Sequence, residues 1–301
     1  MNFFRASRLP PLLLIGALIA LLGVVGCGSQ TSGKEADQPP DRFNAESAMN
    51  WVERQVAVGQ RPAGSPQLRE LAIALREQLP NGHFESIPNE PRLRNVVGTL
   101  YGPRPGIVIA AHYDTLVKPR GFVGANNGAA GTAVVLQVAW SLATNVPPSF
   151  AREVRFVLFD GEEPPAGLPE EGEDFYNEGL RGSRAYVEQN PNQTKAMVLL
   201  DYVGNEGLRL PREATSTPGI WKKVLLNADD AGVGEFFSAE TGPAIVDDHT
   251  PFLRSGVPAV DLIDWSYPGH SLEDGLDKIS TRSLDAVGET VVRLVNELRS
   301  E

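Results

Sequence analysis

Gly106-Ile-Val-Ile-Ala-Ala-His-Tyr-Asp114 is the stretch that decides the fold. Its apolar, β-rich run from Ile107 to Ala111 reads as a strand, and the polar cluster His112-Tyr113-Asp114 sits where that strand runs out. The same arrangement recurs further along the chain. Val154 to Phe159 leads to Glu162-Glu163, Met197 to Leu200 leads to Asp201, and Val257 to Ile263 is followed shortly by His270. Open parallel sheets bind ligands outside the carboxyl ends of their strands, so these clusters mark one candidate site. Two imidazoles and several carboxylates meeting there would repel one another or stay badly desolvated, and a metal ion among them relieves both.

On either side of that stretch the chain alternates. Asn44 to Val58 and Ser65 to Leu79 carry apolar residues at helical spacing and are separated by the Gly59 to Gly64 turn with its Pro62. Strands are expected over His83 to Ile87, Asn95 to Tyr101 and Gly106 to Ala111, with Gly102-Pro103-Arg104-Pro105 breaking the last two apart. A helix over Gly128 to Ala143 and a strand over Glu153 to Phe159 follow. From Asp160 to Gly179 runs an acidic, Pro- and Gly-rich connection that is long for a structureless loop, and its Phe175 and Tyr176 would form a lid over the site. Beyond it the pattern gives helix Gly182 to Gln189, strand Ala196 to Val203, helix Pro218 to Ala231, a short helix Thr250 to Arg254, strand Val257 to Ile263 and a closing helix Thr281 to Leu298. The expected fold is α/β, with a mostly parallel central sheet flanked by helices on both faces.

The beginning of the chain has a different character. Arg5 and Arg8 precede an apolar run from Leu12 to Val25 that is too short to span a bilayer comfortably, and small residues follow, as in a secretion signal. Val24-Val25-Gly26-Cys27 resembles a bacterial lipobox, which implies cleavage before Cys27 and lipid on its thiol. Residues 1–27 therefore read as a lipoprotein signal peptide, 28–42 as a flexible polar linker and 43–301 as one domain, held outside the cytoplasm and anchored to a membrane by the lipid. The chain has 301 residues, of which 42% are apolar, enough for one sizeable core. Because Cys27 is the only cysteine, metal ligands must be His, Asp or Glu. Loss of residues 1–27 removes two arginines and no acid, moving the formal charge from -11 to -13 and disfavouring nucleic acid as a partner.

Zinc takes about four ligands and keeps one position open in catalytic sites. His112, Glu163, Asp201 and His270 are the candidate ligands, and Asp114 is placed to orient His112. The neighbouring carboxylates divide into two roles: Glu163 binds the cation and Glu162 shuttles a proton. No Gly-x-Ser-x-Gly elbow is present, and Gly124 to Gly131 lacks the ending of a phosphate loop.

At this point a resemblance becomes specific. Gly59-Gln-Arg-Pro-Ala-Gly-Ser65, His112-Tyr-Asp114, Gly124-Ala-Asn-Asn-Gly128, Phe159-Asp-Gly-Glu-Glu163, Gly182-Ser183, Leu200-Asp201, Asp247-Asp-His-Thr-Pro-Phe-Leu253 and His270 with Asp277-Lys-Ile-Ser280 occur in the order seen in the zinc aminopeptidase and glutaminyl cyclase superfamily. The resemblance covers about residues 45 to 298 and is nearest to the bacterial cyclase-like lipoproteins. It implies one zinc held at Asn127, Glu163 and His270, with Glu162 as proton carrier and Asp201 and Asp247 as hydrogen-bonding carboxylates. The two-zinc aminopeptidases would add His112 and Asp201 as ligands. It further implies action on peptide or protein N-termini: closure of N-terminal glutamine to pyroglutamate with release of ammonia, or alternatively removal of N-terminal residues.

Two departures stand out. The resemblance leads to aspartate at position 127, where this chain has asparagine, and a neutral amide next to a dication predicts at most one weakly held zinc. A catalytically weakened, peptide-binding lipoprotein is the reading this departure favours. Asn127-Gly128 is also the dipeptide most prone to deamidation, which would create the missing carboxylate. The second departure is Gly269, where an aromatic is expected beside His270; Trp265 and Tyr267 are the candidate substrate-binding residues in its stead.

Overall fold

A strand without a polar break has to be covered on both faces. The computed structural model describes residues 42–145, 147–169 and 172–301, and within them every residue of Gly106–His112 is buried. In chain order the strands are β1 (His83–Ile87), β2 (Glu90–Leu100), β3 (Gly106–His112), β4 (Val154–Phe159), β5 (Thr194–Asp201), β6 (Leu210–Arg212), β7 (Phe237–Thr241) and β8 (Ala259–Ile263). The helices are α1 (Ala45–Val58), α2 (Pro66–Gln78), α3 (Gly131–Thr144), α4 (Gly172–Glu178), α5 (Arg181–Gln189), α6 (Pro218–Ala231), α7 (Thr250–Arg254) and α8 (Thr281–Ser300). The signal segment 1–27 with Cys27, and the linker as far as residue 41, lie outside the described residues. Arg42, read as the end of that linker, is bonded to the domain: its N–H donates to Glu289, and its carbonyl accepts from Ser141 Oγ at 2.5 Å.

The main sheet has six strands in the order β1-β2-β4-β3-β5-β8. β3 pairs parallel with β4 and β5, and β8 pairs parallel with β5, whereas β1 and β2 add an antiparallel hairpin. Side chains of β3 alternate between two layers, as the pleat dictates. Ile107, Ile109 and Ala111 pack with α1, α2, α3, α6 and α8, while Val108 and Ala110 pack with Tyr186 of α5 and Phe252 of α7. Helices therefore flank a mostly parallel sheet on both faces.

Three local expectations are corrected. β2 starts at Glu90 rather than Asn95, because Pro88-Asn89 makes a tight turn, with Asn89 at φ 65, that pairs Ile87 with Glu90. α3 starts at Gly131 rather than Gly128: Asn127 (φ -76, ψ 99) and Gly128 (φ 87, ψ -41) form a non-helical turn ahead of it. The long acidic connection holds the short helix α4, and β6 and β7 make a small parallel sheet that no alternation announced.

Parallel alignment brings the strand ends to one edge. His112 lies opposite Phe159, and Asp201 lies opposite Ile263. The residues that follow β3, β4, β5 and β8 therefore emerge side by side, which assembles the site.

Candidate active site

His112 closes β3 and is only 2% exposed. Its Nδ1 lies 3.6 Å from both Asp114 Oδ1 and Glu162 Oε2, and its Nε2 lies 3.5 Å from Asp201 Oδ1. These are ion-pair separations, too long for hydrogen bonds, and neither ring nitrogen has a hydrogen-bond partner among the described residues. Burial opposes a charged imidazole most strongly, yet Glu162, Asp114 and Asp201 together hold the His112 pKa well above its ordinary value. Asp114 is fully buried and does more than face the ring. Its two oxygens accept the backbone N–H groups of Glu162 and Glu163, each at 3.3 Å, and so fix the two glutamates at the end of β4.

Both glutamates are buried. Burial and then the neighbouring Glu163 push the Glu162 carboxyl well up. Burial likewise pushes Glu163 up to about 8, against the pull of His112 and of the Asn127 hydrogen bond. Asn127 Nδ2 donates to Glu163 Oε1 at 2.9 Å and to the Tyr202 hydroxyl at 3.3 Å. Asp274 holds the turn beneath, accepting from the N–H groups of Asn126 at 2.8 Å and Asn127 at 3.0 Å. Gly128 is required there. It sits at φ +87, and a Cβ would stand 2.8 Å from the Asp114 carbonyl and 3.1 Å from His112 Cε1.

Arg61, from the Gly59 to Ser65 motif, braces the same loops from inside. Its guanidinium donates to the carbonyls of Tyr113 at 3.2 Å, Val123 at 2.5 Å and Gly124 at 3.1 Å. Burial lowers its pKa to about 10, against the pull of Asp114 and Asp274.

The donor chemistry fits one divalent cation. His112, Glu162 and Glu163 each present a ligand atom, all within 4.8 Å of one another. Asn127 Oδ1 and both His112 nitrogens are buried polar atoms without hydrogen-bond partners among the described residues. His270 stands outside that trio, exposed on the loop after β8, with its ring edge-on to Tyr202 at 6.3 Å between centroids. Asp201 joins through His112, and Asp247 is buried nearby, where burial and then Asp201 push its carboxyl up to about 7.

A cleft of about 400 Å³ opens beside this cluster, lined by Tyr202, Trp265, Tyr267, Gly269 and His270 among others. Trp265 is 38% exposed and stacks on Tyr202 at 6.2 Å, and the Tyr267 ring lies 5.8 Å from the Tyr202 ring. The Tyr267 hydroxyl donates to Asp274 Oδ1 at 2.7 Å, which joins the cleft to the Asn127 turn. Phe175 and Tyr176 each pack on a neighbour of their own. Phe175 is buried against Gly179, and Tyr176 lies under Arg254, whose guanidinium carbon is 3.6 Å from the ring centroid.

Sequence reasoning missed Tyr202, which adjoins Asp201, and Asp274, which lies between His270 and Asp277. It also missed a second buried cluster behind Asp247. Glu213 accepts from the N–H groups of Thr215 at 2.9 Å, Ser216 at 2.7 Å and Ile245 at 3.0 Å, and from Thr215 Oγ1 at 2.9 Å. His249 Nε2 lies 3.3 Å from Glu213, and its Nδ1 lies 3.6 Å from Asp261. Burial alone would raise the Glu213 pKa, yet the His249 contact and these donors bring it down to about 2.

Comparison with known proteins gives a consistent picture. The family model of peptidase family M28 matches residues 95–295. The chain is 27% identical over 244 residues to the glutaminyl-peptide cyclotransferase of Bothrops jararaca, an alignment that covers 67% of this chain and spans 65% of that relative's length. Among solved structures, the glutaminyl cyclase of Porphyromonas gingivalis is similar with a TM-score of 0.73 at 29% identity, covering 86% of this chain and 100% of that one. A leucine aminopeptidase precursor from Bacteroides thetaiotaomicron gives a TM-score of 0.74 at 26% identity, covering 86% and 98%.

Proposed function

Because the chain belongs to peptidase family M28, we propose that it is a glutaminyl-peptide cyclotransferase-like enzyme that closes N-terminal glutamine to pyroglutamate with release of ammonia. The observation that carries this reading is the buried Glu162-Glu163 pair, fixed by Asp114 beside His112 at the mouth of an aromatic cleft. A zinc ion, when bound, would polarise the side-chain amide carbonyl; the resemblance gives Asn127, Glu163 and His270 as the residues that would hold it, and the structure gathers ligand atoms of His112, Glu162 and Glu163 within 4.8 Å of one another.

The chain's own residues handle the protons. The substrate's α-amine forms the new C–N bond to the side-chain amide carbon, and the bond to the amide nitrogen breaks. Glu162 Oε2 accepts the proton that the amine loses and delivers it to the departing nitrogen, so that ammonia leaves neutral. Burial raises the proton affinity of this carboxyl. Trp265, Tyr267 and the Tyr202 ring beneath them supply apolar surface for the N-terminal side chain.

A second reading is an aminopeptidase, favoured by the approach of His112 Nε2 to Asp201 at 3.5 Å, which offers a second pair of donors. Incubating zinc-loaded protein with a Gln-initiated and an Ala-initiated peptide separates the readings. Ammonia from the first supports the cyclase, free alanine from the second supports the peptidase, and neither product leaves a peptide-binding protein weakened at Asn127.

We further propose that the domain works outside the cytoplasm, tethered through lipid on Cys27. The lipobox-like Val24-Val25-Gly26-Cys27 supports this. Palmitate labelling that persists in Cys27→Ala protein would refute it.

A further inference from the structure

Position 269 carries no side chain, and the structure gives the reason. A Cβ on Gly269 would stand 2.4 Å from Tyr202 Cζ and 2.6 Å from its hydroxyl oxygen. The aromatic that the resemblance leads one to expect at 269 is replaced by a ring arriving from the opposite direction, from the end of β5. Tyr202 holds φ 47, a conformation that a bulky residue adopts only when its surroundings compel it. Only 3% exposed, its ring meets Trp265, Tyr267 and His270, three residues of one loop, while its hydroxyl accepts from Asn127 Nδ2 at 3.3 Å. A single side chain therefore touches both the cleft loop and the Asn127-Glu163 pair.

We propose that Tyr202 is the specificity-determining floor of the cleft, standing where a side chain at position 269 would otherwise stand and setting the loop that carries Trp265, Tyr267 and His270. Gly269 is obligatory only while Tyr202 is present. By packing beneath Trp265 and Tyr267 the ring sets the aromatic surface that a planar amide-bearing side chain at a peptide N-terminus would meet, and this ligand class rests on the cyclase reading. The hydroxyl plays a separate part by steadying Asn127.

The ring and the hydroxyl make different predictions. Tyr202→Leu removes the floor and raises KM for a Gln-initiated tripeptide about 10-fold or more, with a smaller effect on kcat. Tyr202→Phe restores KM towards wild type but lowers kcat about 3- to 10-fold, because one hydrogen bond to Asn127 is lost. Thermal unfolding tests the packing without any substrate. Gly269→Ala should lower the melting temperature clearly in wild type and much less in a Tyr202→Leu background, since the colliding ring is gone. Additive melting penalties, or a Tyr202→Leu variant with unchanged KM, would overturn the proposal. Calorimetric titration with the same tripeptide separates its failure from that of the cyclase reading. Wild type that binds the peptide through Tyr202 but releases no ammonia sinks the cyclase reading alone, and wild type that binds no peptide sinks the floor.

Discussion

Glu213 and His112 are both buried and ionisable, and both sit among charged neighbours, yet their surroundings are opposite. Both Glu213 oxygens are filled, by three backbone N–H groups and the Thr215 hydroxyl, with His249 alongside. His112 has three carboxylates at 3.5 to 3.6 Å and, among the described residues, no hydrogen bond to either ring nitrogen. A group whose partners are complete is fixed in one state and serves the loop it ties down. One that is surrounded but unbonded is arranged for something that arrives from outside, a cation or a substrate amine. Asp261 lies between the two cases: it faces His249 at 3.6 Å, and burial followed by Asp247 holds its carboxyl well above the ordinary range.

If this contrast is real, removing a carboxylate should have opposite consequences in the two places. Glu162→Gln should lower kcat about 100- to 10,000-fold, the usual scale for loss of a positioned proton carrier. It should not lower the melting temperature, because a buried carboxyl whose pKa is raised gives up stability whenever it ionises. A variant that keeps most of its turnover would remove Glu162 from the chemistry.

Glu213→Gln should do the reverse, sparing turnover far more than stability. The Glu213 pKa falls from 4.5 to about 2 on folding, so its stabilisation is complete above pH 4.5 and drains away as pH falls through 2. A shift of that size corresponds to about 3 kcal/mol. Acid unfolding of wild type and Glu213→Gln, followed by circular dichroism, should converge in that window and diverge above it. Parallel curves at every pH would show that Glu213 is no anchor.

Much of this contrast could be read from the chain, and the remainder could not for identifiable reasons. His112, Glu162, Glu163 and Asp201 were legible because each ends or closely follows an apolar run, and parallel strands end together. Asp274 was not, because its partners Asn126 and Asn127 lie 148 and 147 residues away, a pairing that no local pattern encodes. Tyr202 reads as one more residue of an apolar strand, and only its positive φ turns it into the cleft. Glu213 escaped because β6, which it follows, is three residues long and contains Pro211, a poor strand signal, while His249 was quoted within the Asp247 to Leu253 motif without a role. Gly269 was noticed as a departure, but its cause lies at Tyr202, far off in sequence.

Asn127→Asp probes the open side of the comparison. A restored carboxylate would face Glu163 in place of the amide that now donates to it at 2.9 Å, so the variant gains most when a cation separates the two acids. Zinc affinity, read by chelator competition, should rise about 10- to 100-fold, at least the scale typical of disturbed groups around a metal. In wild type, dialysis and metal analysis should find at most one weakly held zinc. Two tightly retained ions, or an Asn127→Asp variant with unchanged affinity and activity, would mean that position 127 does not serve the metal.

The smallest expected effect concerns the same asparagine left to age. In sequence, Asn127-Gly128 invites deamidation, since glycine leaves the backbone nitrogen unhindered. Ring closure requires that nitrogen to reach the Asn127 side-chain carbon, and the fold restrains both partners. The Asn127 amide is engaged by Glu163 and Tyr202, its N–H is held by Asp274, and Gly128 is locked at φ +87 against the Asp114 carbonyl. Folded protein should therefore gain mass at this site much more slowly than protein kept in urea, as peptide mass spectrometry would show. Equal rates would mean that the turn is not held as tightly as its hydrogen bonds require. Where the gain does occur before refolding, zinc content should move towards that of Asn127→Asp, which makes the chemical change an independent check on the engineered one.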